Sequence, residues 1–250
     1  PARASIALQR GENNDARWAP PVFDVDGVRI AVIFDLDREL EMLPTGVDLI
    51  AYFQLNAFDM TNRETAAVAA VRSGAYRKIA SKRSVWFACM APVGAYDESV
   101  YTGGSFVLDD CGRVVAQAPC FEESLLVQEI QRGVMLDALE DHELPEFSSE
   151  EWLWQALVLA VRDNARSHGT SRAVVALEGD LPSSLLAALA VDALGPRNVF
   201  GLVLGRNRIF TPAQEEAEAA QALFTEACPE TEISLLSGGQ PVYYYMISVE

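Results

Sequence analysis

The sequence AVVALEGDLPSSLLA at residues 173–187 combines a buried strand, a tight turn and the start of a helix. A turn of this kind is where nucleotide-binding α/β domains place a phosphate. The amides at a helix N-terminus are unpaired donors, and they lie at the positive end of the macrodipole. Here the turn carries Glu178 and Asp180 where the phosphate would bind. The stretch therefore has the order expected of a phosphate loop, together with two negative charges that oppose a phosphate.

Elements of the same kind lie on both sides of this stretch. Ser148 is an N-cap followed by acids, and the helix it begins carries apolar residues on one face: Leu153, Ala156, Leu157, Ala160 and Val161. The order is then helix 152–167, strand 172–177, helix 183–194 with Gly195 as its cap, strand 199–204, helix 211–228 and strand 232–236. This alternation predicts a Rossmann-like parallel sheet with right-handed crossovers. The tyrosine-rich residues 241–249 are interpreted as an edge strand or a packing arm.

The region before it predicts a strand-rich α+β arrangement. Asp26-Gly27 favours the turn of a hairpin between strands 22–25 and 28–34, and the apolar second strand is expected to be central. Further strands are predicted at 48–53, 84–90, 105–108, 113–117 and 124–129, with a short helical stretch to residue 43, a helix at 62–80 and a loop at 94–102. The chain is therefore expected to divide into domains at 1–132 and 151–250, joined by an acidic linker at 133–150.

Composition limits the class of function. The chain has 250 residues, half of them apolar, which is typical of a globular protein with a sizeable core. Its formal charge of −17 argues against a nucleic-acid or anionic-membrane binder. No apolar run approaches the roughly 18 residues of a membrane span, and no signal peptide opens the chain, so a cytoplasmic protein is expected.

Cysteines and histidines indicate neither a metal site nor a catalytic base. The four cysteines lack C-x-x-C spacing and a nearby histidine, which is typical of reduced thiols: Cys89, Cys111, Cys120 and Cys228. The two histidines, His142 and His168, are isolated in the sequence.

Two motifs together resemble one family. The run YTGGSFVLD at 101–109, followed by Pro119 and FEE at 121–123, resembles the closing strands of the nitrilase-type glutaminase domain of glutamine-dependent NAD synthetases. The runs ALVLAVRD at 156–163 and AALAVDALG at 187–195 resemble the start of their ATP-pyrophosphatase-like synthetase domain. The resemblance covers roughly residues 15–235. It implies a partial nitrilase-like α+β sandwich followed by a Rossmann-like domain of the adenine-nucleotide-hydrolase type, and kinship to NAD biosynthesis.

The resemblance also implies that the glutaminase chemistry is missing. The family's nucleophilic cysteine lies in a run resembling Cys-Glu-Asp, where Asp35-Leu36-Asp37 stands here. A carboxylate at Asp35 cannot form the thioester that an activated thiol forms. The family's lysine belongs near residues 3–5, yet the first lysine of this chain is Lys78. Its glutamate belongs to an N-terminal half that this chain is expected to lack.

The synthetase motif departs in the same way. The family's loop resembles Ser-Gly-Gly-x-Asp-Ser, whose glycine amides and hydroxyls donate to phosphates. Gly179 and Ser183 match it, but Glu178 replaces a hydroxyl, Asp180 replaces a glycine, and Pro182 replaces an acid and removes an amide donor. Each acid opposes a triphosphate by about a few kcal/mol at an effective dielectric near 20. A magnesium ion that bridges these acids to the triphosphate would make ATP binding possible, but the binding would remain disfavoured.

Three functions remain open. The first is a degenerate, non-catalytic homologue that needs no cofactor and acts as a structural or regulatory subunit with a protein partner or a second copy, because a half-sized sheet leaves apolar surface uncovered. The alternative is an ATP- and magnesium-dependent amide ligase using the altered loop Glu178, Gly179, Asp180, Ser183 and Ser184, of which Gly179, Ser183 and Ser184 are its direct support. Arg206 and Arg208 are interpreted as exposed loop arginines, with a residual anion site as the other possibility. The third is a cation-binding module formed by Asp35, Asp37, Glu178 and Asp180. We favour the first.

Overall fold

The elements of the chain come from a computed structural model that describes residues 20–62, 65–130, 140–177, 180–205 and 232–237. In chain order they are β1 (Val22–Val25), β2 (Val28–Ile33), α1 (Leu36–Glu39), β3 (Leu49–Phe53), α2 (Ala67–Arg72), α3 (Ala75–Arg83), β4 (Trp86–Met90), β5 (Val93–Tyr96), β6 (Ser99–Thr102), β7 (Phe106–Leu108), β8 (Val114–Gln117), α4 (Ser149–Ser167), β9 (Ala173–Leu177), α5 (Leu181–Leu194), β10 (Val199–Gly205) and β11 (Glu232–Ser237). Together they form an α/β fold, as predicted.

A six-stranded mixed sheet organises the first region, in the order β1-β2-β3-β4-β7-β8. Strands β2, β3 and β4 are parallel, and the outer pairs are antiparallel. The predicted hairpin is confirmed: Asp26 and Gly27 have φ of 53° and 82° at its turn, the left-handed values that a two-residue turn requires. The apolar β2 lies between two other strands, as expected.

The sheet has two apolar faces. The first face, here called the helix face, holds a large buried cluster that includes Ile33, Ile50, Phe87 and Phe106, and α2 and α3 contribute residues such as Val71 to it. The second face has its own cluster of Leu49, Trp86, Val107 and Val115, against which Leu126 and Ile130 pack. Alternate residues of each strand point to opposite faces, so the apolar runs of β3 and β4 supply both clusters.

Three predictions for this region were wrong. The helix at 62–80 is two helices, α2 and α3, because Gly74 between them has a φ of 84° that a continuous helix cannot accommodate. The loop at 94–102 is the hairpin β5–β6, turning at Asp97 with a φ of 51°. Residues 124–129 form no strand. Their side chains alternate between exposed and half-buried, but among the described residues they join no sheet ladder.

The predicted parallel sheet of the second region is confirmed in the order β11-β10-β9. Helix α5 covers it through Ala187 and Ala190, which pack on Val175, Leu177 and Val199. The helix begins at Leu181, earlier than predicted, and Gly195 caps it with a φ of 86°. The helix predicted at 211–228 and the strand-like tail at 241–249 lie outside the described residues.

Helix α4 contacts both regions. Ser148 accepts a hydrogen bond from the Glu151 N–H and is the predicted N-cap. The predicted apolar face was partly wrong: Trp152, Ala156 and Leu159 are buried, whereas Leu157 is 38% exposed. Trp152 packs against Phe121 of the first region, with ring centroids 5.0 Å apart, and Trp154 donates to Asp192 of α5 at 2.8 Å. The division at 132 and 151 stays a prediction.

Residues 141–147, here called the strap, lie across the first region although the sequence predicts a linker. The Asp141 carboxylate accepts from the Val114 N–H of β8 and from Arg77, each at 2.8 Å, and the His142 N–H donates to the Val114 carbonyl at 2.8 Å. Arg72 donates to the carbonyls of Leu144 and Pro145. The strap therefore covers the start of the β8 edge. Across the described ranges, no helix is both long and apolar enough to cross a membrane.

Candidate functional site

The carboxyl ends of the parallel strands β2, β3 and β4 meet at one edge of the large sheet, where α/β proteins place their ligands. Asp35 follows β2 at this edge and is exposed. Its carboxylate accepts a hydrogen bond from the Arg38 N–H at 3.2 Å and caps α1. Asp35 therefore performs a local structural task, and its oxygen is directed to the helix backbone.

Glu39 is a buried carboxylate at the same corner that sequence reasoning missed. It is 4% exposed, and it accepts a hydrogen bond from the Phe34 N–H at 2.9 Å. The contact turns α1 back onto the end of β2, because it joins the last turn of the helix to the residue after the strand. The signal was available: Leu36, Leu40 and Leu43 pack on the core at helical spacing, and Glu39 shares their face.

A thiol lies nearby, but it is not prepared for nucleophilic attack. Cys89 on β4 is 1% exposed and donates to the Gln54 Oε1 at 3.6 Å. Burial raises the pKa of the Cys89 thiol, and burial also raises the pKa of Cys120, to about 11. A nucleophilic cysteine requires a lowered pKa. Cys89, Cys111 and Cys120 are free cysteines, and Cys228 lies outside the described residues.

The second candidate site is the start of α5, where Asp180 directly precedes the first helical residue, Leu181. The Asp180 Oδ1 accepts from the Ser183 N–H at 3.0 Å and is the N-cap. The hydroxyls of Ser183 and Ser184 both donate to the Asp180 carbonyl, at 3.2 and 2.9 Å. Hydrogen bonding by Ser183 lowers the pKa of the Asp180 carboxyl, so Asp180 is ionised at neutral pH. The groups expected to hold a phosphate are thus engaged with Asp180.

Other predicted ligands of this site lie outside the described residues. Glu178 and Gly179, and the arginines Arg206 and Arg208, belong to segments that the structure does not describe. Pro182 lies in the first turn of α5, where it has no N–H to offer. The geometry of the candidate phosphate site therefore rests on Asp180, Ser183 and Ser184.

Of the acids proposed for a cation site, Glu178 lies outside the described residues, and Asp35, Asp37 and Asp180 form no cluster at ligand distance among the described ones. The acids that do approach within ligand distance are Asp109 and Asp110, with Cys111. Asp109 is buried, and its carboxylate accepts from the N–H groups of Cys111 and Arg113 and from the Arg113 Nε at 2.7 Å. These bonds close the turn between β7 and β8, which is a structural task.

Comparison with known proteins supports the fold and the kinship. The family model for NAD synthase matches residues 153–237. A glutamine-dependent NAD(+) synthetase of Synechocystis sp. is 29% identical over 194 residues, which cover 77% of this chain and 31% of the relative. The enzyme of that name from Rhodobacter capsulatus is 36% identical over 113 residues, covering 45% of this chain and 20% of the relative.

A solved structure has the same fold. The glutamine-dependent NAD+ synthetase from Acinetobacter baumannii, in complex with ADP, superposes with a TM-score of 0.72 at 21% identity, covering 88% of this chain and 41% of that one. The likeness extends across both regions of the chain, since 88% of it is covered. The chain spans less than a third of the length of the two curated relatives.

Proposed function

We propose that this chain, which is related to the glutamine-dependent NAD(+) synthetases, is a non-catalytic structural or regulatory subunit of a protein assembly. It acts neither as a glutaminase nor as an ATP-dependent synthetase. The observation that carries the proposal is the start of α5, where the carboxylate of Asp180 accepts the Ser183 N–H that a bound phosphate would need. We also propose a cytoplasmic location and the domain division at residues 132 and 151.

The hydrogen bonding at α5 supports this proposal in two ways. First, the first turn of the helix has few free donors: the Ser183 N–H bonds the Asp180 carboxylate, and Pro182 has no N–H. Second, the capping group is an anion that already interacts favourably with the positive end of the helix. A phosphate would have to displace this carboxylate and then remain beside it, against a Coulomb repulsion of about a few kcal/mol at an effective dielectric near 20.

The corner after β2 supports the proposal independently. By the family resemblance, Asp35 stands at the nucleophile's position, and a carboxylate cannot take part in thiol chemistry. Cys89 does not replace the thiol, because it is buried on β4 and donates to Gln54. At both corners the aspartate that follows the strand caps the next helix, which is a structural role.

Calorimetric titration with Mg-ATP tests the proposal. We expect no binding at ATP concentrations up to about 1 mM, the weak end of ordinary affinities. The variant Asp180→Asn keeps a capping oxygen and removes the negative charge at the start of α5. Its matched control is Glu150→Gln, which neutralises an exposed acid at the start of α4. Micromolar ATP binding that Ser183→Ala abolishes would contradict the proposal and favour the amide ligase.

Ammonia release from glutamine tests the other corner. We expect none above the uncatalysed rate for the wild type, and none for Cys89→Ser. Turnover of glutamine that Cys89→Ser removes would overturn the proposal, because it would identify the buried thiol as a working nucleophile. Turnover that Cys89→Ser leaves intact would overturn it too, with the nucleophile elsewhere.

A further inference from the structure

Phe121, which follows Cys120 after the end of β8, has a backbone conformation that is unusual for a bulky residue. Its φ is 62°, in the left-handed region, and the residue is 7% exposed. The other described non-glycine residues with a left-handed φ have short polar side chains: Asp26 and Asp97 lie in hairpin turns, and Ser84 ends α3. Short polar side chains tolerate this region, whereas a bulky side chain there is strained. The contacts around Phe121 therefore have to hold it in place.

The first region fixes the backbone on the N-terminal side of Phe121. Cys120 forms an antiparallel bridge with Gly103, and the Phe121 N–H donates to the Thr102 carbonyl of β6 at 2.8 Å. On the C-terminal side, residues 122–128 make no backbone hydrogen bond with another described residue. Phe121 is thus the residue at which the chain leaves the hydrogen-bonded part of the first region.

Helix α4 holds Phe121 from the other side. The Phe121 ring packs on Trp152 of α4, with ring centroids 5.0 Å apart, and edge-on against Phe147, with centroids 6.0 Å apart. The guanidinium of Arg162, also on α4, donates to the Phe121 carbonyl at 3.4 Å. One helix therefore contacts both the ring and the carbonyl of the strained residue. We call the contact formed by Phe121, Phe147, Trp152 and Arg162 the joint.

Asp163 attaches α4 to the first region at a second point. Its Oδ2 accepts from the Ala95 N–H of β5 at 2.9 Å, and its Oδ1 lies 3.6 Å from the Arg162 Nε. Asp163 follows Trp152 by eleven residues, which is about 16 Å along the helix. A change at Asp163 therefore reaches Phe121 through the position of α4 and through Arg162, without removing an atom that touches the Phe121 ring.

We propose that the joint is poised to open: docking of α4 on the first region holds Phe121 in its left-handed conformation, and undocking lets Phe121 relax. The strain at Phe121 offsets part of the free energy that the ring contacts contribute, so the joint opens more readily than its aromatic packing alone would allow. Local opening of this kind costs less than global unfolding. The inference goes beyond the proposed function, since neither candidate site contributes a residue to the joint.

Two substitutions at Phe121 separate strain from packing. Phe121→Ala and Phe121→Gly both remove the ring contacts, but only glycine adopts a left-handed φ without steric cost. We expect the unfolding equilibrium constant, measured by urea denaturation, to be about fivefold smaller for the Gly variant than for the Ala variant. The matched control is the same pair of substitutions at Phe147, which packs on the same rings without a left-handed φ. There the Ala variant should be the more stable of the two.

The thiol of Cys120 reports whether the strain is released when the joint opens. It packs against the cluster that contains Phe121, and burial raises the pKa of Cys120 to about 11, so a disulfide reagent labels it slowly while the joint is closed. Cys89, 1% exposed, reports global unfolding in the same molecule. With Cys111→Ser and Cys228→Ser removing the other thiols, we expect Cys120 to be labelled faster than Cys89. Its labelling should be about fivefold faster in Phe121→Ala than in Phe121→Gly.

Asp163→Ala tests whether the docking of α4 holds the joint closed. Loss of the charged acceptor of the Ala95 N–H should speed the labelling of Cys120 about 10-fold. The matched control is Asp192→Ala, which removes the hydrogen bond between Trp154 and α5 and leaves the contacts of α4 with the first region in place. This control should leave the labelling rate of Cys120 unchanged. If Asp163→Ala does not fold, Asp163→Asn, which removes only the charge, takes its place.

Each result supports or overturns the proposal. Labelling of Cys120 at the rate of Cys89 would overturn it, because the joint would then open only on global unfolding. Equal labelling of Cys120 in the Gly and Ala variants of Phe121 would overturn it too, because the residue would then stay left-handed after α4 has left. So would an effect of Asp192→Ala as large as that of Asp163→Ala. Circular dichroism establishes that each variant is folded before its labelling rate is interpreted.

Discussion

The two strand-to-helix corners, β2 to α1 and β9 to α5, have the same local plan. In each, an aspartate after the strand caps the next helix through the N–H three residues on: Asp35 to Arg38 and Asp180 to Ser183. They differ in the length of the helix that each aspartate begins, because α1 has four residues and α5 has fourteen. The short helix depends on Glu39 for its attachment, whereas the long one has a macrodipole and an apolar face of its own. The same cap therefore carries a different share of stability at each corner.

The largest effect is expected at Glu39. Glu39→Ala removes a buried group and leaves the Phe34 N–H without its acceptor, so the free energy of unfolding should fall by about 2 kcal/mol. Urea denaturation measures it. Glu41→Ala, an exposed acid in the following turn, is the control and should change little. Equal effects of the two substitutions would mean that Glu39 does not hold this corner.

The caps themselves come next. Asp180→Ala should lower the free energy of unfolding by the ordinary cost of losing an N-cap, and Asp35→Ala by less, because α1 is a single turn with a weak dipole. The Asn variant at each position retains a capping oxygen and should recover most of the loss. Thermal unfolding of the four variants gives the ranking. A larger loss at Asp35 would reverse the comparison.

The smallest effect is the pH dependence of the Asp180 cap. The folded pKa of Asp180 lies below its ordinary value of 3.8, because Ser183 hydrogen bonds to it. A group whose pKa is lowered on folding stabilises the protein above its unfolded pKa, and the stabilisation is lost as pH falls through the folded value. The stability difference between wild type and Asp180→Asn should thus be constant from about pH 5 to 8 and shrink below about pH 4. A difference that persists at about pH 2 would assign the effect to a contact other than the charge.

Local signals predicted much of the fold. Asp26-Gly27 predicted the hairpin, Ser148 predicted the start of α4, and the alternation of elements after residue 172 predicted the parallel sheet. These signals succeeded because turns, caps and periodicity depend on neighbouring residues. The predictions failed where contacts between residues distant in the sequence decide the structure. Side chains of residues 124–129 alternate between exposed and half-buried, as in a strand, but whether an extended segment pairs depends on what lies beside it. Gly74 within an otherwise helical pattern gave no notice of a break.

The sites were harder to predict than the fold. The sequence identified Asp35 and Asp180 as departures from a family motif, and the structure shows the task each one has. The capping role was available from Asp180-Leu-Pro-Ser183 alone, since an N-cap acid followed by proline is a standard helix start. The hydrogen bonds from the Ser183 and Ser184 hydroxyls to the Asp180 carbonyl could not be predicted from the sequence, because they depend on the side-chain rotamers of the two serines.

The strap decides how far the large sheet could grow. Asp141 and His142 occupy the N–H and the carbonyl of Val114, so a strand from another molecule that approached the β8 edge would first have to remove them. An edge strand whose backbone groups are already paired is a poorer template for another chain than one whose groups are open. The acidic stretch 141–147, predicted as a linker, thus protects the start of the β8 edge against pairing with a second molecule.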